Sequence, residues 1–328
     1  MNNNKKDIMK KPELLPDSPG IFRLHDDDSI IYLAKTSNLR RTISRLLASK
    51  PEDEHGLKMI SLTKEISWET TNSLIAALLK EKLELNTSEP QFNNMRKSYS
   101  NYVYLKIDFG KVPYFSIAEN TLTDDYYIGP FFDRFFPLDV ISILGQLQKY
   151  PVCENGDFPC YRFKDKSCEG WCLKESSQIA EIIVHNYITI NKYLLKDLQD
   201  QRQKLFDELE FEQEVLLKDQ IKILEKYYEF LKFFHTVKRS DLKFTYQEYS
   251  VQLKSGQIES IETNGEIYHF PVLQPEYRKN EFLAVEKEKL SESWILFNYL
   301  KKKYSQKYTE LYLDSAQKLL KELGYQGE

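Results

Sequence analysis

The sequence predicts an α+β protein, because strand-like and helix-like patterns fill separate stretches of its 328 residues. Alternating apolar and polar residues predict a β-hairpin near the start, with strands at 21–24 and 30–34. A second alternating region, 236–272, predicts a meander of three strands with turns at Ser255-Gly256 and Asn264-Gly265. Apolar residues spaced for one face of a helix occupy much of the remaining chain. We therefore expect small mixed domains joined by a helical region.

The composition favours a soluble, intracellular chain. Apolar residues make up 41% and charged residues 29% of the sequence, and the mean hydropathy is -0.55. The N-terminal lysines precede no apolar signal segment, and no run reaches the roughly 18–20 apolar residues of a membrane helix. We expect a cytoplasmic protein of two or three domains without membrane contact. The net charge of -4 argues against a basic surface overall but allows a local patch for nucleic acid.

The first predicted domain covers 14–95 and follows a polar N-terminus, 1–13, that we expect to be disordered. Ser37 is predicted to cap a helix after the hairpin, and Ser73 a second helix after a strand at 64–70. The apolar face of the first helix comprises Leu39, Ile43, Leu46 and Leu47, and its arginines off that face are Arg40, Arg41 and Arg45. The predicted order is ββαβα, a small mixed domain.

All four cysteines lie together in the stretch PVCENGDFPCYRFKDKSCEGWC, with the spacing C-x6-C-x7-C-x3-C. They are Cys153, Cys160, Cys168 and Cys172. The intervening prolines, glycines and small polar residues predict turns, as expected for a loop around a metal. Four thiolates suit zinc or an iron–sulfur cluster, and the histidines stand apart from them in sequence. Two disulfides are the alternative, which a reducing compartment disfavours.

The rest of the chain divides into three predicted segments. Linker strands, a helix and the cysteines occupy 100–175, and a helical region occupies 176–235. The final segment, 236–328, combines the meander with an amphipathic helix at 281–325. No motif with evident chemistry occurs in this last third.

Several motifs, taken in order, resemble the UvrC family of excinucleases. LPDSPGIFRL and IIYLAKTSNLRRTISRLL are similar to the start of its GIY-YIG nuclease domain, and SLIAALLKEKLELNTSEPQFN to its glutamate-bearing helix. YYIGPFFDRFFPLDVISILGQLQKYPVC resembles the segment that leads to the family's cysteines. The resemblance implies that the four cysteines hold a 4Fe-4S cluster, with Zn2+ as the alternative. Full-length UvrC continues into an RNase H-like domain, which this chain is expected to be too short to contain.

The helical region looks like the family's UVR motif, a short helical hairpin that joins UvrC to the helicase UvrB. The matching positions are Phe211, Glu212, Asp219, Ile221 and Leu224. Lys218, Glu214 and Val215 depart from the family's preferences. The resemblance implies a UvrB-like partner, whereas an ordinary amphipathic helix is the other interpretation.

The resemblance also implies phosphodiester hydrolysis in DNA with Mg2+ or Mn2+. Tyr32 matches the tyrosine that activates water, Lys35 the lysine after the second strand, and Glu81 the metal-binding glutamate. Asn93 matches the residue that closes the domain. Such a reaction needs fixed positive charge and a metal beside the phosphate, since its transition state gathers negative charge.

Three positions depart from the family's active site. Phe22 replaces the first-strand tyrosine, Ala34 replaces a glycine, and Thr42 replaces the helix arginine. Losing a fixed charge-stabilising group costs about 3–4 kcal/mol of transition-state stabilisation. Arg45, less than one turn beyond Thr42, is the candidate substitute, while Arg40, Arg41 and Arg45 are candidate DNA-binding residues.

Two functions therefore follow from the sequence. The first is a UvrC-like, metal-dependent endonuclease of nucleotide excision repair that cuts one DNA strand through a partly degraded active site. The second is a non-catalytic DNA-binding or scaffold protein that keeps the UvrC-like fold and partner contacts. Nicking of DNA distinguishes the two.

Overall fold

The structure is a computed structural model of the chain. It describes residues 2–4, 12–27, 29–48, 54–95, 99–109, 114–123, 125–148, 159–168, 170, 173, 176–237, 239–273 and 283–322. The first of two compact units comprises 1–100, 241–272 and 291–303, and the second comprises 101–240, 273–290 and 304–328. The mixed helix and sheet class is confirmed, but this division cuts across the consecutive domains that the sequence predicted.

The described strands and helices have the following bounds. The strands are β1 Asn2–Asn4, β2 Gly20–His25, β3 Ile30–Thr36, β4 Glu65–Thr70, β5 Val103–Ile107, β6 Phe115–Ala118, β7 Tyr126–Phe131, β8 Leu242–Tyr246, β9 Tyr249–Lys254, β10 Gln257–Thr263, β11 Glu266–His269 and β12 Leu283–Ala284. The α-helices are α1 Leu39–Ala48, α2 Glu54–Leu62, α3 Leu74–Ser88, α4 Gln91–Met95, α5 Phe135–Gln148, α6 Tyr161–Lys164, α7 Ser176–Ile183, α8 Lys192–Asp207, α9 Phe211–Val237, α10 Lys287–Lys303 and α11 Ser305–Glu322. A short 3-10 helix at Pro12–Leu14 and a π-helical turn at Val184–Ile188 complete them.

The N-terminal sheet of the first unit has the order β1-β4-β2-β3 and all its pairs are antiparallel. Each face carries its own core, because successive side chains of a strand point to opposite faces. Phe22 and Leu24 pack with Leu39 and Ile43 of α1 on one face. On the other face Ile21 and Leu33 pack against α3.

The predicted ββαβα order is present, with three differences. Asn38, rather than Ser37, caps α1, since its side chain accepts the backbone N–H of Arg41 at 2.8 Å. Helix α2 was not predicted, because its burial rests on Gly56 and Met59, which leave little apolar periodicity. Asn2–Asn4, predicted to be disordered, pairs with β4 through backbone bonds that require no apolar pattern. The predicted cap of α3 is confirmed: Ser73 Oγ accepts the backbone N–H of Ala76 at 3.2 Å.

The second unit is built around aromatic side chains. Its sheet has the order β12-β7-β5-β6, and β12 joins β7 in parallel. Phe131, at the end of β7, lies with its ring centroid 5.4 Å from that of Phe230 and 5.7 Å from that of Phe234, both on α9. The linker strands predicted in 100–175 include β5, Val103–Ile107, which pairs with β7 and β6.

Helices α8 and α9 form a helical hairpin in the second unit. The turn between them contains Leu209 in the left-handed region, at φ 64°. Arg202 Nε on α8 donates to Glu214 Oε1 on α9 at 2.7 Å, so the two helices are joined near the turn. The C-terminal half of α9 is buried, whereas its first two turns carry the exposed Val215 and Leu216.

The C-terminal meander belongs to the first unit and has four strands, in the order β11-β10-β9-β8, instead of the three predicted. The predicted turns are confirmed, with positive φ at Ser255, Gly256, Asn264 and Gly265. The predicted C-terminal helix is two helices, α10 and α11, with a break at Tyr304. None of the described helices is long and apolar enough to cross a membrane.

Candidate functional site

Lys35 and Glu81 meet at the edge of the N-terminal sheet. Strand β3 places Lys35 on the face that α3 covers, and Glu81 lies on the second turn of α3. Glu81 Oε1 accepts the backbone N–H of Lys35 at 2.9 Å, and Glu81 Oε2 accepts the Lys35 ammonium at 2.6 Å. The side chains of Lys35 and Glu81 are 19% and 12% exposed, so the pair is largely shielded from water. The structure thus joins two of the residues singled out from the sequence.

The charge of Lys35 is set by its surroundings. Burial opposes the charged form, but the charge and hydrogen bond of Glu81 outweigh it, so the pKa of Lys35 is raised. The carboxylate of Glu292 on α10 adds to that rise. Lys35 is therefore a cation at neutral pH, fixed against Glu81.

The carboxylate of Glu81 fits a hard divalent cation. Such ions prefer carboxylate oxygens, and the Lys35 backbone N–H holds one oxygen of Glu81 in place. The other oxygen already binds a cationic group, the Lys35 ammonium. A metal ion could bind there if that ammonium moved aside. Among the residues that the structure describes, no group of three or more histidine, cysteine, aspartate or glutamate side chains could hold a metal ion.

Tyr32 lies on the opposite face of β3 from Lys35. It pairs across the hairpin with Leu24 and packs against the core that contains Phe22. The ring centroids of Tyr32 and Phe22 are 6.1 Å apart. The Phe22 side chain is 2% exposed. Its apolar ring lies beside Tyr32 at the position where the UvrC family has a tyrosine hydroxyl.

Ala34 and Thr42 lie on this same face. Ala34 pairs with Phe22 and packs against the core. Thr42 Oγ1 and Thr36 Oγ1 are 2.6 Å apart, within hydrogen-bond distance. Thr42 is thereby tied to the end of β3, and it brings no positive charge to the site.

The three arginines of α1 differ in their surroundings. Arg40 Nε donates to the carbonyl oxygen of Leu15 at 2.8 Å, and its guanidinium also contacts Asp17. Arg40 therefore anchors the segment before β2. Arg41 and Arg45 are exposed. Among the three predicted DNA-binding arginines, Arg41 and Arg45 have exposed side chains, and no contact like those of Arg40 holds them within the described chain.

Asn93 fastens the end of the domain to β3. Its side-chain oxygen accepts the Leu33 backbone N–H at 2.9 Å, and its side-chain nitrogen donates to the Leu33 carbonyl at 2.7 Å. The side chain thus satisfies the outer edge of β3 as a neighbouring strand would. The predicted closing role of Asn93 is consistent with this pair of bonds.

Sequence reasoning missed the residues of the C-terminal segment that contact α3. Lys82 Nζ lies 2.6 Å from Glu292 Oε2, and Ser73 Oγ lies 2.6 Å from Tyr246 Oη. These pairs are 210 and 173 positions apart in the chain. A single sequence carries no signal for contacts of this range.

A cavity of about 390 Å³ in the first unit is lined by neither Glu81 nor Tyr32. Glu69, Glu84 and Glu248 line it, together with Lys80 and Tyr249. Two of its carboxylates are paired with cations, since Lys80 contacts Glu69 and Arg23 contacts Glu84. It adds no residue to the candidate site.

Only part of the cysteine cluster is described. Cys153 and Cys172 lie outside the described residues. Cys160 precedes α6, and its carbonyl oxygen accepts the backbone N–H groups of Phe163 and Lys164, each at 3.2 Å. Cys168 is 7% exposed, and its Sγ accepts the Gly170 N–H at 3.4 Å. Backbone N–H donation of this kind suits a thiolate.

The five predicted partner-binding residues all lie on α9 but face different directions. Phe211, Glu212 and Asp219 are exposed. Ile221 and Leu224 are 4% and 0% exposed, because their spacing continues into the buried stripe of α9. A partner can reach the first three directly, whereas the last two belong to the interior of the second unit.

Comparisons with known proteins give one consistent relationship. Residues 18–94 match the family model described as a UvrC-like GIY-YIG domain. UvrABC system protein C from Methanococcus maripaludis is 25% identical over 281 residues, covering 82% of this chain and 52% of that protein. The protein of the same name from Carboxydothermus hydrogenoformans is 28% identical over 233 residues, covering 67% of this chain and 38% of that protein. The chain thus spans about half or less of the length of these relatives.

Among solved structures, the chain is similar to the GIY-YIG N-terminal endonuclease domain of UvrC from Thermotoga maritima bound to magnesium. The identity is 22%, the match covers 27% of this chain and 98% of that domain, and the TM-score is 0.25.

Proposed function

Because the chain is a UvrC-like protein with a GIY-YIG-like N-terminal domain, we propose that it is a DNA-repair endonuclease that cuts one strand during nucleotide excision repair. The observation that carries the proposal is the contact of Lys35 with Glu81 at 2.6 Å, at the positions where the UvrC family has its lysine and metal-binding glutamate. The reaction class is metal-dependent phosphodiester hydrolysis.

The contact of Lys35 with Glu81 supports the roles of these two residues, and the family resemblance assigns those of Tyr32 and Arg45. Glu81 would hold a Mg2+ or Mn2+ ion, which supplies positive charge beside the scissile phosphate. Lys35, displaced from Glu81 by that ion, would keep its charge close to the phosphate. Tyr32 would take a proton from the attacking water, and exposed Arg45 would meet the phosphate from α1.

A nicking assay tests the proposal. Supercoiled plasmid or a lesion-bearing duplex is incubated with the full chain and Mg2+ or Mn2+, and single-strand breaks are counted. We expect metal-dependent nicking that Glu81→Gln lowers by about a hundredfold or more, because the cation loses its ligand. The matched control is Glu84→Gln on the same helix, which removes a carboxylate that binds Arg23 and should leave nicking within a fewfold. Nicking that survives Glu81→Gln would falsify the assignment.

A non-catalytic DNA-binding or scaffold function is the second candidate. The observations that favour it are the buried phenyl ring of Phe22, the hydrogen-bonded Thr42 and the ammonium of Lys35 on Glu81. This function predicts DNA binding that weakens steeply with salt, without breaks in the DNA. Abundant nicking by the wild-type chain would exclude it.

We propose that the four cysteines hold a 4Fe-4S cluster, and the alternative is Zn2+. The shielding of Cys168 and its N–H partner support a thiolate ligand at this position. Protein purified without oxygen should be brown and contain about four iron atoms per chain. Cys168→Ser should lower that content, whereas colourless protein with bound zinc would favour the alternative.

The proposed partner is a UvrB-like helicase that binds the turn between α8 and α9. Phe206, Leu209, Phe211, Val215 and Leu216 are each at least half exposed there. Exposed apolar patches often mark interaction sites. We expect Leu216→Ser to weaken binding in a pull-down with a UvrB protein. The matched control is Leu313→Ser on α11, also half exposed, which should bind as the wild type does.

A further inference from the structure

Glu292 contacts the helix that carries Glu81. Glu292 Oε2 lies 2.6 Å from the ammonium of Lys82, and Glu292 Oε1 accepts the backbone N–H of Ile258 at 2.9 Å. The side chains of Lys82 and Glu292 are 13% and 12% exposed. Both oxygens of Glu292 are therefore engaged, and its charge is held in a fixed place within the first unit.

The C-terminal segment contacts Lys82 and the start of α3 at separate points. The Phe270 ring lies 4.9 Å from the Lys82 ammonium, so Lys82 is held on two sides. Tyr246 Oη lies within hydrogen-bond distance of Ser73 Oγ, the cap of α3. The same Tyr246 hydroxyl donates to Asn72 Oδ1 at 2.8 Å. The turn of α3 with Glu81 and Lys82 is thus supported from the outside.

The charges around Glu81 balance. Lys35 and Lys82 contribute two positive charges, and Glu81 and Glu292 contribute two negative charges, all in side chains less than one-fifth exposed. Charges in such positions are screened less than those on the surface. Without Glu292, the two ammonium groups would outnumber the carboxylate of Glu81. That excess positive charge would oppose a divalent cation at Glu81.

We propose that Glu292 is a positioning residue of the candidate nuclease site: by neutralising Lys82, it removes an excess positive charge that would oppose a divalent cation at Glu81. The inference rests on the proposed function in taking Glu81 as the metal ligand. It assigns a role to the C-terminal third of the chain, where the sequence offered no chemistry. Glu292 contacts Lys82 directly, and its charge also acts on Lys35.

Binding of Mn2+ to the full chain tests this inference without any catalysis. Affinity is measured by electron paramagnetic resonance or calorimetry, and the site at Glu81 is identified as the binding lost in Glu81→Gln. Glu292→Gln should weaken that binding about tenfold, because it leaves one unbalanced positive charge near a divalent ion. Lys82→Gln should strengthen the binding by a fewfold, and the double variant should return to within about threefold of the wild type.

Two further variants serve as controls. Glu262→Gln makes the same chemical change in the same unit, at a carboxylate that lies 3.6 Å from Lys243 and is 49% exposed. It should leave Mn2+ affinity unchanged. Glu292→Asp keeps the charge and should retain most of the affinity. If Glu292→Gln does not fold, the opposite shift in Lys82→Gln still decides the question.

The possible results separate the two proposals. Unchanged affinity in Glu292→Gln, a double variant as weak as Glu292→Gln, or no Mn2+ binding that depends on Glu81 would each overturn the role of Glu292. Binding of Mn2+ that responds as expected, in a wild-type chain that never nicks DNA, would support Glu292 and refute the nuclease function. If Glu292→Gln changes neither nicking nor Mn2+ affinity, the nuclease function is supported and the role of Glu292 is refuted.

Discussion

Single side chains determine the chemistry that the candidate site offers. Lys35 and Glu81 bring opposite charges together, and Tyr32 contributes a hydroxyl on the other face of the same edge strand. Thr42 contributes a hydrogen bond to Thr36 where the UvrC family has an arginine. For the proposed function, the site therefore lacks at Thr42 the guanidinium that the family resemblance implies.

Thr42→Arg should raise the nicking rate. A guanidinium at this position adds charge stabilisation of about 3 kcal/mol, or roughly a hundredfold in rate. The loss of the bond to Thr36 should cost about 1 kcal/mol of folding stability. Rates are compared on the same nicked plasmid, and Thr42→Leu controls for the lost hydroxyl. If the arginine variant is no faster than the leucine variant, Arg45 already performs this role or the site has none.

His235 should make the protein less stable in acid. Burial lowers the pKa of His235 to about 4, with its ring against Tyr312 and its Nε2 3.3 Å from the Ile188 carbonyl. The unfolded chain, with a pKa near 6.5, binds a proton that the folded chain excludes, so stability is complete above that value and falls as the pH drops toward 4. Between pH 7 and pH 4.5 the loss should be about 2–3 kcal/mol.

The measurement is urea unfolding of the wild type and of His235→Gln at these two pH values. Glutamine cannot take up the proton. The folding stability that His235→Gln loses between pH 7 and pH 4.5 should therefore be about 2–3 kcal/mol smaller than the loss of the wild type. His269→Asn, at an exposed histidine, is the control and should behave as the wild type does. Equal losses in all three proteins would contradict the expectation.

At the scale of elements, α3 is the helix on which the site depends. It is capped at Ser73, packed on the sheet through Ala77, and held by Tyr246 and Glu292 from the C-terminal segment. The Ser73 hydroxyl serves two elements, because it accepts the Ala76 N–H of α3 and lies 2.6 Å from the Tyr246 hydroxyl of β8.

Ser73→Ala should destabilise the protein by about 1–2 kcal/mol, because the Ala76 N–H loses its acceptor and the Tyr246 hydroxyl loses a partner. Urea unfolding measures the change. Ser88→Ala, in the last turn of α3, removes only a bond to the Glu84 carbonyl that a helix already uses and should cost less. A smaller effect at Ser73 than at Ser88 would mean that the cap contributes nothing.

At the scale of the whole molecule, neither unit is a continuous stretch of chain. The first unit takes 241–272 and 291–303 from the C-terminal third, and the second unit takes 273–290 and 304–328. The family model covers 18–94 alone, so the matched domain is smaller than the unit that forms around it.

A chain that ends at Ser240 should therefore have a loosened α3. It lacks Tyr246, Phe270 and Glu292, so the amides of α3 should exchange with solvent about tenfold faster or more, as measured by mass spectrometry. A chain that ends at Tyr304 is the control. It removes α11, which belongs to the second unit, and should leave exchange in α3 as in the full chain. Equal exchange in all three chains would contradict the support described for α3.

The sequence by itself determined the local elements and the relationship to UvrC. Period-two alternation and Gly-containing turns predicted the hairpin and the meander, and a serine before an apolar run predicted the cap of α3. Helix α2 was not predicted, because its buried residues, Gly56 and Met59, leave little apolar periodicity. Lys35 and Glu81 were identified because their positions in the chain match the motifs of the UvrC family.

Only the tertiary structure decided how these residues are used. It joined Lys35 to Glu81, gave Thr42 a hydrogen bond, and turned Ile221 and Leu224 into the interior. It also brought Glu292 to Lys82 across 210 positions. The physical reason is range: propensity and periodicity act over a few residues, whereas a charge balance depends on side chains that only the folded backbone brings together.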